Sequence, residues 1–168
     1  MTDSPKFTPA RWRPMTARHL ADVSAVAAVV HPDYPEDDAV FAERLRLYPP
    51  GCRVLEGTAR VLGYGIGHPW RDGTPVQLNA LLGYLPSRPT VFYIHDIALL
   101  PEARGMGAGV AIVDYFVARA RAEGFAALFL VAVAGSEAFW RARGFADMPA
   151  ALLESYGMAA RLMRRTLA

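Results

Sequence analysis

Apolar residues at Leu20, Val23, Val26, Ala27 and Val30 recur in three- and four-residue steps, the period of one helix face, and Thr16 stands where a hydroxyl can cap the first turn. A second helix is predicted from Asp37 or Asp38 to Leu47, after the turn His31-Pro32-Asp33-Tyr34-Pro35. Ahead of this pair, Arg11-Trp12-Arg13-Pro14 reads as extended. The pattern then shortens. Cys52 to Glu56 and Ala59 to His68 are strand-like runs joined by Gly57-Thr58, the spacing of a hairpin, with Pro69 as its end. Trp70 to Pro89 has no period and carries Gly73, Pro75, Gly83, Pro86 and Pro89; a loop this long in a compact domain is often functional, so substrate contacts are expected there.

Further along, Thr90 to Leu99 reads as a strand, Gly105 to Glu123 as a helix, Ala127 to Val133 as an apolar strand and Ser136 to Arg143 as a short helix. Strand, helix and buried strand in succession form the pattern of a right-handed parallel crossover. Phe145 to Met148 and Met158 to Arg165 close the chain as extended segments. No repeat or long linker divides the sequence, so residues 1–168 are expected to form a single α/β domain around a mixed sheet.

Composition narrows the function classes. A hydrophobic content of 53% supports one sizeable core, and a net charge of +2 with scattered arginines makes no stripe for nucleic acid. Apolar runs such as Ala126 to Ala134 are too short to span a bilayer, so no membrane partner is expected. Cys52 is the only cysteine, which excludes an intramolecular disulfide and a cysteine-rich metal site. The four histidines have no metal-ligand spacing, and Met1 to Pro9 lacks the basic-then-apolar order of a secretory signal. A soluble cytoplasmic protein without a metal is the expectation.

The strongest chemical signal is Arg104-Gly105-Met106-Gly107-Ala108-Gly109, directly after a strand and opening a helix. Residues without bulk let the backbone approach a ligand, and helix-terminal N–H groups then face an anion. A P-loop needs Lys-Ser/Thr after its last glycine, where this chain has Val110-Ala111. A dinucleotide fingerprint starting at Gly105 needs Gly or Ala at Val110, and an acidic end to the next strand, which reads Val131-Ala132-Val133. Arg104, Gly107 and Gly109 instead fit the signature Arg/Gln, two residues, Gly, one residue, Gly/Ala. On that loop, on Asp96 to Arg104 before it, and on Phe139-Trp140-Arg141-Ala142-Arg143-Gly144-Phe145 after it, the chain resembles the GNAT superfamily of N-acetyltransferases.

The resemblance implies a GNAT-like mixed, splayed β-sheet flanked by helices, with acetyl-CoA as co-substrate and an amine of a small molecule or peptide as acceptor. It implies that the backbone of Ile97, Ala98 and Leu99 pairs with pantetheine and that Arg104, Gly105, Met106, Gly107, Ala108 and Gly109 hold the pyrophosphate. Phe139 and Trp140 fall in its second cofactor segment, a backbone N–H near Leu99 is its oxyanion donor, and similar proteins often form homodimers through a C-terminal edge strand.

An alkyl ammonium has a pKa near ~10.4, so attack on a thioester needs a base. His95 stands where relatives carry a base, and imidazole chemistry suits the task; the bland reading is a strand histidine satisfied by a carbonyl. Strict alternation puts Tyr93, His95, Ile97 and Leu99 on one face and Asp96 on the other. Asp96 then reads as structural, bonding loop amides, or as the base itself if the strand breaks alternation. The tyrosine acid of many relatives is replaced by Trp140, leaving Tyr156, a gate tyrosine in the bland reading, or water to protonate the leaving thiolate. Tyr34, Tyr48, Tyr64, Trp70 and Tyr84 either line the acceptor pocket or pack, His68 does the same, and His19 and His31 read as surface residues. A non-catalytic acyl-CoA-binding module, and a longer acyl donor admitted by Ala132, Ala134 and Gly135, stay open as alternatives.

Overall fold

The computed structural model describes residues 9–149, 156–157 and 159–168. Strand β1 (Arg11–Pro14) is followed by a 3-10 turn at Ala17–His19 and then by helices α1 (Leu20–Val30) and α2 (Asp38–Leu47). The Thr16 backbone N–H donates to His19 Nδ1 at 2.9 Å, so the entry to α1 is fastened by a histidine side chain as well as by its own turn. Strands β2 (Cys52–Glu56), β3 (Val61–Trp70) and β4 (Val91–Leu99) precede α3 (Ala108–Ala122), β5 (Ala127–Ala132), α4 (Glu137–Ala142), β6 (Ala146–Asp147) and β7 (Arg161–Thr166). The expected start of the last strand at Met158 lies outside the described residues.

All seven strands form one mixed sheet in the order β1-β2-β3-β4-β5-β7-β6, with β4 and β5 parallel and the other pairs antiparallel. Val23, Val26 and Phe41 from α1 and α2 bury against Val54, Tyr64 and Ile66 on one face. Ile112, Val113, Phe116 and Val117 from α3 bury against Phe92, Leu128 and Leu130 on the other. Gly65 brings α3 close to β3, because a Cβ there would stand 2.6 Å from Ile112. A third cluster joins Tyr93, Phe129 and Leu162 to Trp70 and Val76, beneath the 71–90 segment.

Two boundaries and one burial differ from the sequence reading for identifiable reasons. Pro69 does not end β3; it pairs in register with Phe92, and because β2 pairs only as far as Ile66, its missing N–H sits where β3 has a neighbour on one side. Helix α3 starts at Ala108 rather than Gly105, because Gly105 (φ 76°) and Gly107 (φ 77°) are left-handed. His19 is buried, 5% exposed, with Nε2 3.0 Å from Glu56 Oε1, rather than on the surface.

Two irregularities of β4 create the site. Its pairing with β5 is confined to Phe92 with Leu128 and Tyr93 with Phe129, after which the two strands part. Its pairing with β3 steps from Gly67 with Ile94 to Ile66 with Asp96, leaving His95 as the extra residue of a β-bulge.

Candidate active site

Where β4 and β5 separate, a cavity of about 150 Å³ opens. Ile94, His95, Asp96 and Ile97 of β4 line it together with His31, Tyr34 and Glu36 from the α1–α2 connection, Trp140 from α4, and Tyr156. The bulge corrects the expected alternation. Ile94 and Ile97 both pack toward α3, so the two residues between them, His95 and Asp96, both reach the α1–α2 side and line one cavity.

His95 Nε2 lies 2.8 Å from Glu36 Oε1, and the two side chains are 1% and 6% exposed. A carboxylate has no proton to give, so the ring nitrogen facing it carries the hydrogen. His95 Nδ1 is then the lone-pair nitrogen, and it is buried with no hydrogen-bond partner among the described residues. Glu36 was not singled out in the sequence. It stands at the end of the run His31-Pro32-Asp33-Tyr34-Pro35-Glu36, dense in titratable residues just before a helix, and that density is the available signal.

Asp96 forms a second group. It accepts a short hydrogen bond from the Tyr64 hydroxyl, and His31 Nε2 stands 2.9 Å from Asp96 Oδ1, close enough for an ion pair although the angle is not that of a formed hydrogen bond. Its partners are therefore side chains and not the loop amides expected for it. Burial by itself raises the Asp96 pKa, but the charge and contact of His31, with His95 and Tyr64, outweigh it and hold the carboxyl below its ordinary value. His31 moves the other way: burial lowers it, but the charge and contact of Asp96, with the Ile97 backbone and the charge of Glu36, together more than reverse that. His31 is consequently a half-buried cavity residue and not a surface one.

Tyr156 is 7% exposed, shares a hydrogen bond with Tyr93, and packs with a ring centroid 6.4 Å from that of Tyr34. Burial, then the nearby Tyr93, Glu36 and Asp96, push its hydroxyl well above the ordinary tyrosine value, so it stays protonated. Trp140 packs edge-on to Phe139 and Phe145, and both Phe139 and Trp140 line the cavity. Of the other aromatics, Tyr34 lines it and Tyr64 touches it through Asp96, whereas Tyr48 bonds Glu123 and Tyr84 is 71% exposed. His68 is buried between Trp70 and Tyr93 and is held neutral, with its pKa lowered to about 3 by burial. Among the described residues of the 71–90 segment Leu78 alone lines the cavity, so that segment reaches the site at one position.

The glycine loop continues from the far end of the same strand. Ile97 lines the cavity, Ala98 and Leu99 pair with Tyr64 and Gly63 on the β3 side, and Arg104 Nε donates to Leu99 O at 3.2 Å. The first intrahelical bond of α3 runs from Ala111 N to Gly107 O, so the N–H groups before it are available to a ligand. No Cβ-sized obstacle lies within 4 Å of Gly105 or Gly107, and their positive φ makes the open loop a glycine requirement. Gly109 is different: a Cβ there would stand 3.4 Å from the Phe139 ring of α4, an ordinary contact, and its φ is not left-handed.

Among the described residues there is no group of three or more metal-ligating side chains and no helix long and apolar enough to cross a membrane.

Comparison with known proteins gives a consistent answer. The model of the acetyltransferase (GNAT) family matches residues 13–145. Ard1 from Thermoplasma volcanium superposes with a TM-score of 0.75 over 96% of this chain and 99% of that one, at 18% identity. The loading GNATL domain of CurA from Lyngbya majuscula gives 0.79 over 95% and 98%, at 14% identity. Arabidopsis thaliana Naa50, in complex with the bisubstrate analogue CoA-Ac-MVNAL, gives 0.72 over 95% and 100%, at 11% identity. At such identities these structures establish the fold alone. No curated protein matches the chain.

Proposed function

The chain belongs to the GNAT acetyltransferase family, and from that premise we propose that it transfers an acetyl group from acetyl-CoA directly to a primary amine of a small molecule or peptide. The observation that carries this reading is the adjacency on β4 of a buried histidine–carboxylate pair, in the opening between β4 and β5, and the glycine loop that the same strand leads into.

The residues fit the co-substrate. The splayed backbone of Ile97, Ala98 and Leu99 is where pantetheine would lie, and the Arg104–Gly109 loop, with Gly105 and Gly107 in conformations that keep side chains out of the way, would hold the pyrophosphate. Phe139 and Trp140 would close over it from α4. The thioester supplies an activated acyl group. Everything else is asked of this chain.

A protonated amine entering the cavity meets Glu36 and Asp96, whose charges favour it. His95 takes its proton on Nδ1, and the imidazolium is stabilised by Glu36 at its other nitrogen. The backbone near Leu99 faces the charge that grows on the thioester oxygen. Tyr156, kept protonated by burial, lies on the same cavity and would hand a proton to the departing thiolate as it takes up the second proton that the nitrogen of the tetrahedral intermediate loses, so that no tyrosinate is left behind. A thiol with a pKa near ~8.5 needs that help less than an alkoxide would. Asp96, fastened by Tyr64 and His31, acts as the fixed anion of the acceptor side, a role that the bulge at His95 makes possible.

The test is release of free CoA thiol from acetyl-CoA over a panel of primary amines and N-terminal peptides. Amine-dependent release that disappears in His95→Ala supports the assignment. No release with any amine, while acetyl-CoA still binds, would make the chain an acyl-CoA-binding module instead.

A further inference from the structure

The 71–90 segment gives the cavity one side chain, yet its middle is fastened closely to α2 and to the residues just before it. Glu43 accepts hydrogen bonds from the backbone N–H groups of Leu82 (2.7 Å) and Gly83 (2.9 Å), and Arg44 donates to Ala80 O (2.9 Å) while pairing with Glu43 at 2.7 Å. Both side chains are buried, so this anchorage is shielded from water. One residue earlier the fastening reaches the site itself. Asn79 N–H donates to Glu36 Oε2 at 3.0 Å, and Asn79 Oδ1 accepts the N–H of Asp37 at 2.7 Å.

Asn79 is the only non-glycine residue with positive φ (57°) among the described residues. Asparagine tolerates that conformation better than other side chains, and strained backbone tends to persist where the surroundings require it. Here the left-handed turn lets one residue present its own N–H and its side-chain oxygen to two successive residues, Glu36 and Asp37. The carboxylate of Glu36 is thereby held at both oxygens, Oε2 by Asn79 and Oε1 by His95. A carboxylate held at one oxygen can swing about its last torsion; one held at both has a fixed plane.

We infer that Asn79 is a positioning residue for His95, acting through Glu36. It fixes the carboxylate, the carboxylate fixes the imidazole with its proton on Nε2, and Nδ1 is left free for the acceptor. Beyond the one side chain it gives the cavity, the long loop therefore serves the reaction from behind the site. This inference rests on the reading of His95 as the base, but the pair can be observed without turnover.

The experiment is a proton–nitrogen spectrum of the full chain with labelled histidines, in which the His95 Nε2–H signal is assigned by its loss in His95→Gln. In the wild type that proton should appear downfield and exchange slowly with water, since it is buried and bonded to a carboxylate. Asn79→Ala keeps the N–H that holds Glu36 but removes the Oδ1 bond to Asp37 and strains φ, so the N–H shifts off the carboxylate and exchange should accelerate about tenfold or more, with kcat lowered several-fold at unchanged KM for acetyl-CoA. Asn79→Gly loses the same Oδ1 bond without the strain, so it should lie between, and it carries the test if the alanine variant does not fold. Leu81→Ala, an exposed position on the same segment, should leave the signal unchanged. Absence of the signal in the wild type, wild-type exchange in both Asn79 variants, or an equal effect of Leu81→Ala would each overturn the inference. Failure of every amine to support turnover would instead strike the acetyltransferase reading, and the two failures are separable.

Discussion

The two halves of the cleft are made of different material. On the donor side the chain offers backbone: a strand edge released from its neighbour and a loop in which Gly105 and Gly107 hold positive φ. On the acceptor side it offers side chains, with His31 and Glu36 from the α1–α2 connection, His95 and Asp96 from a β-bulge, and Tyr156 from near the last strand. Backbone sites tolerate change in most side chains and fail when a conformation is lost. Side-chain sites fail when one group is removed and leave the rest of the cleft intact. The two halves should therefore be separable by mutation.

The largest expected effect is on the acceptor side. His95→Ala removes the proposed base, and turnover should fall by about 10²–10⁴-fold while acetyl-CoA affinity measured by calorimetry stays within about twofold. A parallel loss of affinity would mean that the halves are not independent. Gly107→Val is the converse. A β-branched residue forced to φ 77° costs about 1–2 kcal/mol per residue, enough to open the loop, so acetyl-CoA should bind about tenfold or more weakly. Gly109→Ala, with its Cβ in ordinary contact with Phe139, should bind acetyl-CoA nearly as the wild type does. Tyr156→Phe should lower kcat about tenfold, equivalent to one hydrogen bond of about 1.4 kcal/mol, and leave acetyl-CoA binding alone.

The smallest effect concerns stability. His31 is raised above 6.5, so its contribution is complete below that value and is lost as pH rises through its folded-state pKa. Asp96 is lowered below 3.8, so its contribution is complete above that value and is lost as pH falls through its folded-state pKa. The pair is strongest between those two values. His31→Gln should lower Tm by about 2–4 °C in that window, from roughly 1 kcal/mol for a partly buried charge pair, and the gap to wild type should narrow toward alkaline pH. A gap that grows with pH would reverse the assignment of charges.

The same contrast explains what could be read in the sequence. The glycine loop is contiguous, and its conformational requirement is written in residues that have no other reason to alternate, so Arg104 to Gly109 stood out. Strand and helix order followed from periodicity because each element buries one face. The acceptor side is assembled from segments about sixty residues apart, as with Glu36 and His95, and no local pattern joins them. The bulge was invisible for a related reason. It is a property of the register between β3 and β4, and strict alternation along β4 alone placed Asp96 on the wrong face. Pro69 misled in the opposite direction, since a proline is tolerated in a strand where its missing N–H faces the side without a neighbouring strand.

The most direct test of the two-sided account is calorimetric titration of acetyl-CoA into the wild type, His95→Ala and Gly107→Val, side by side. The account predicts tight binding to the first two and loss of binding to the third with its fold intact. No binding to the wild type, or a loss in His95→Ala equal to that in Gly107→Val, would contradict it.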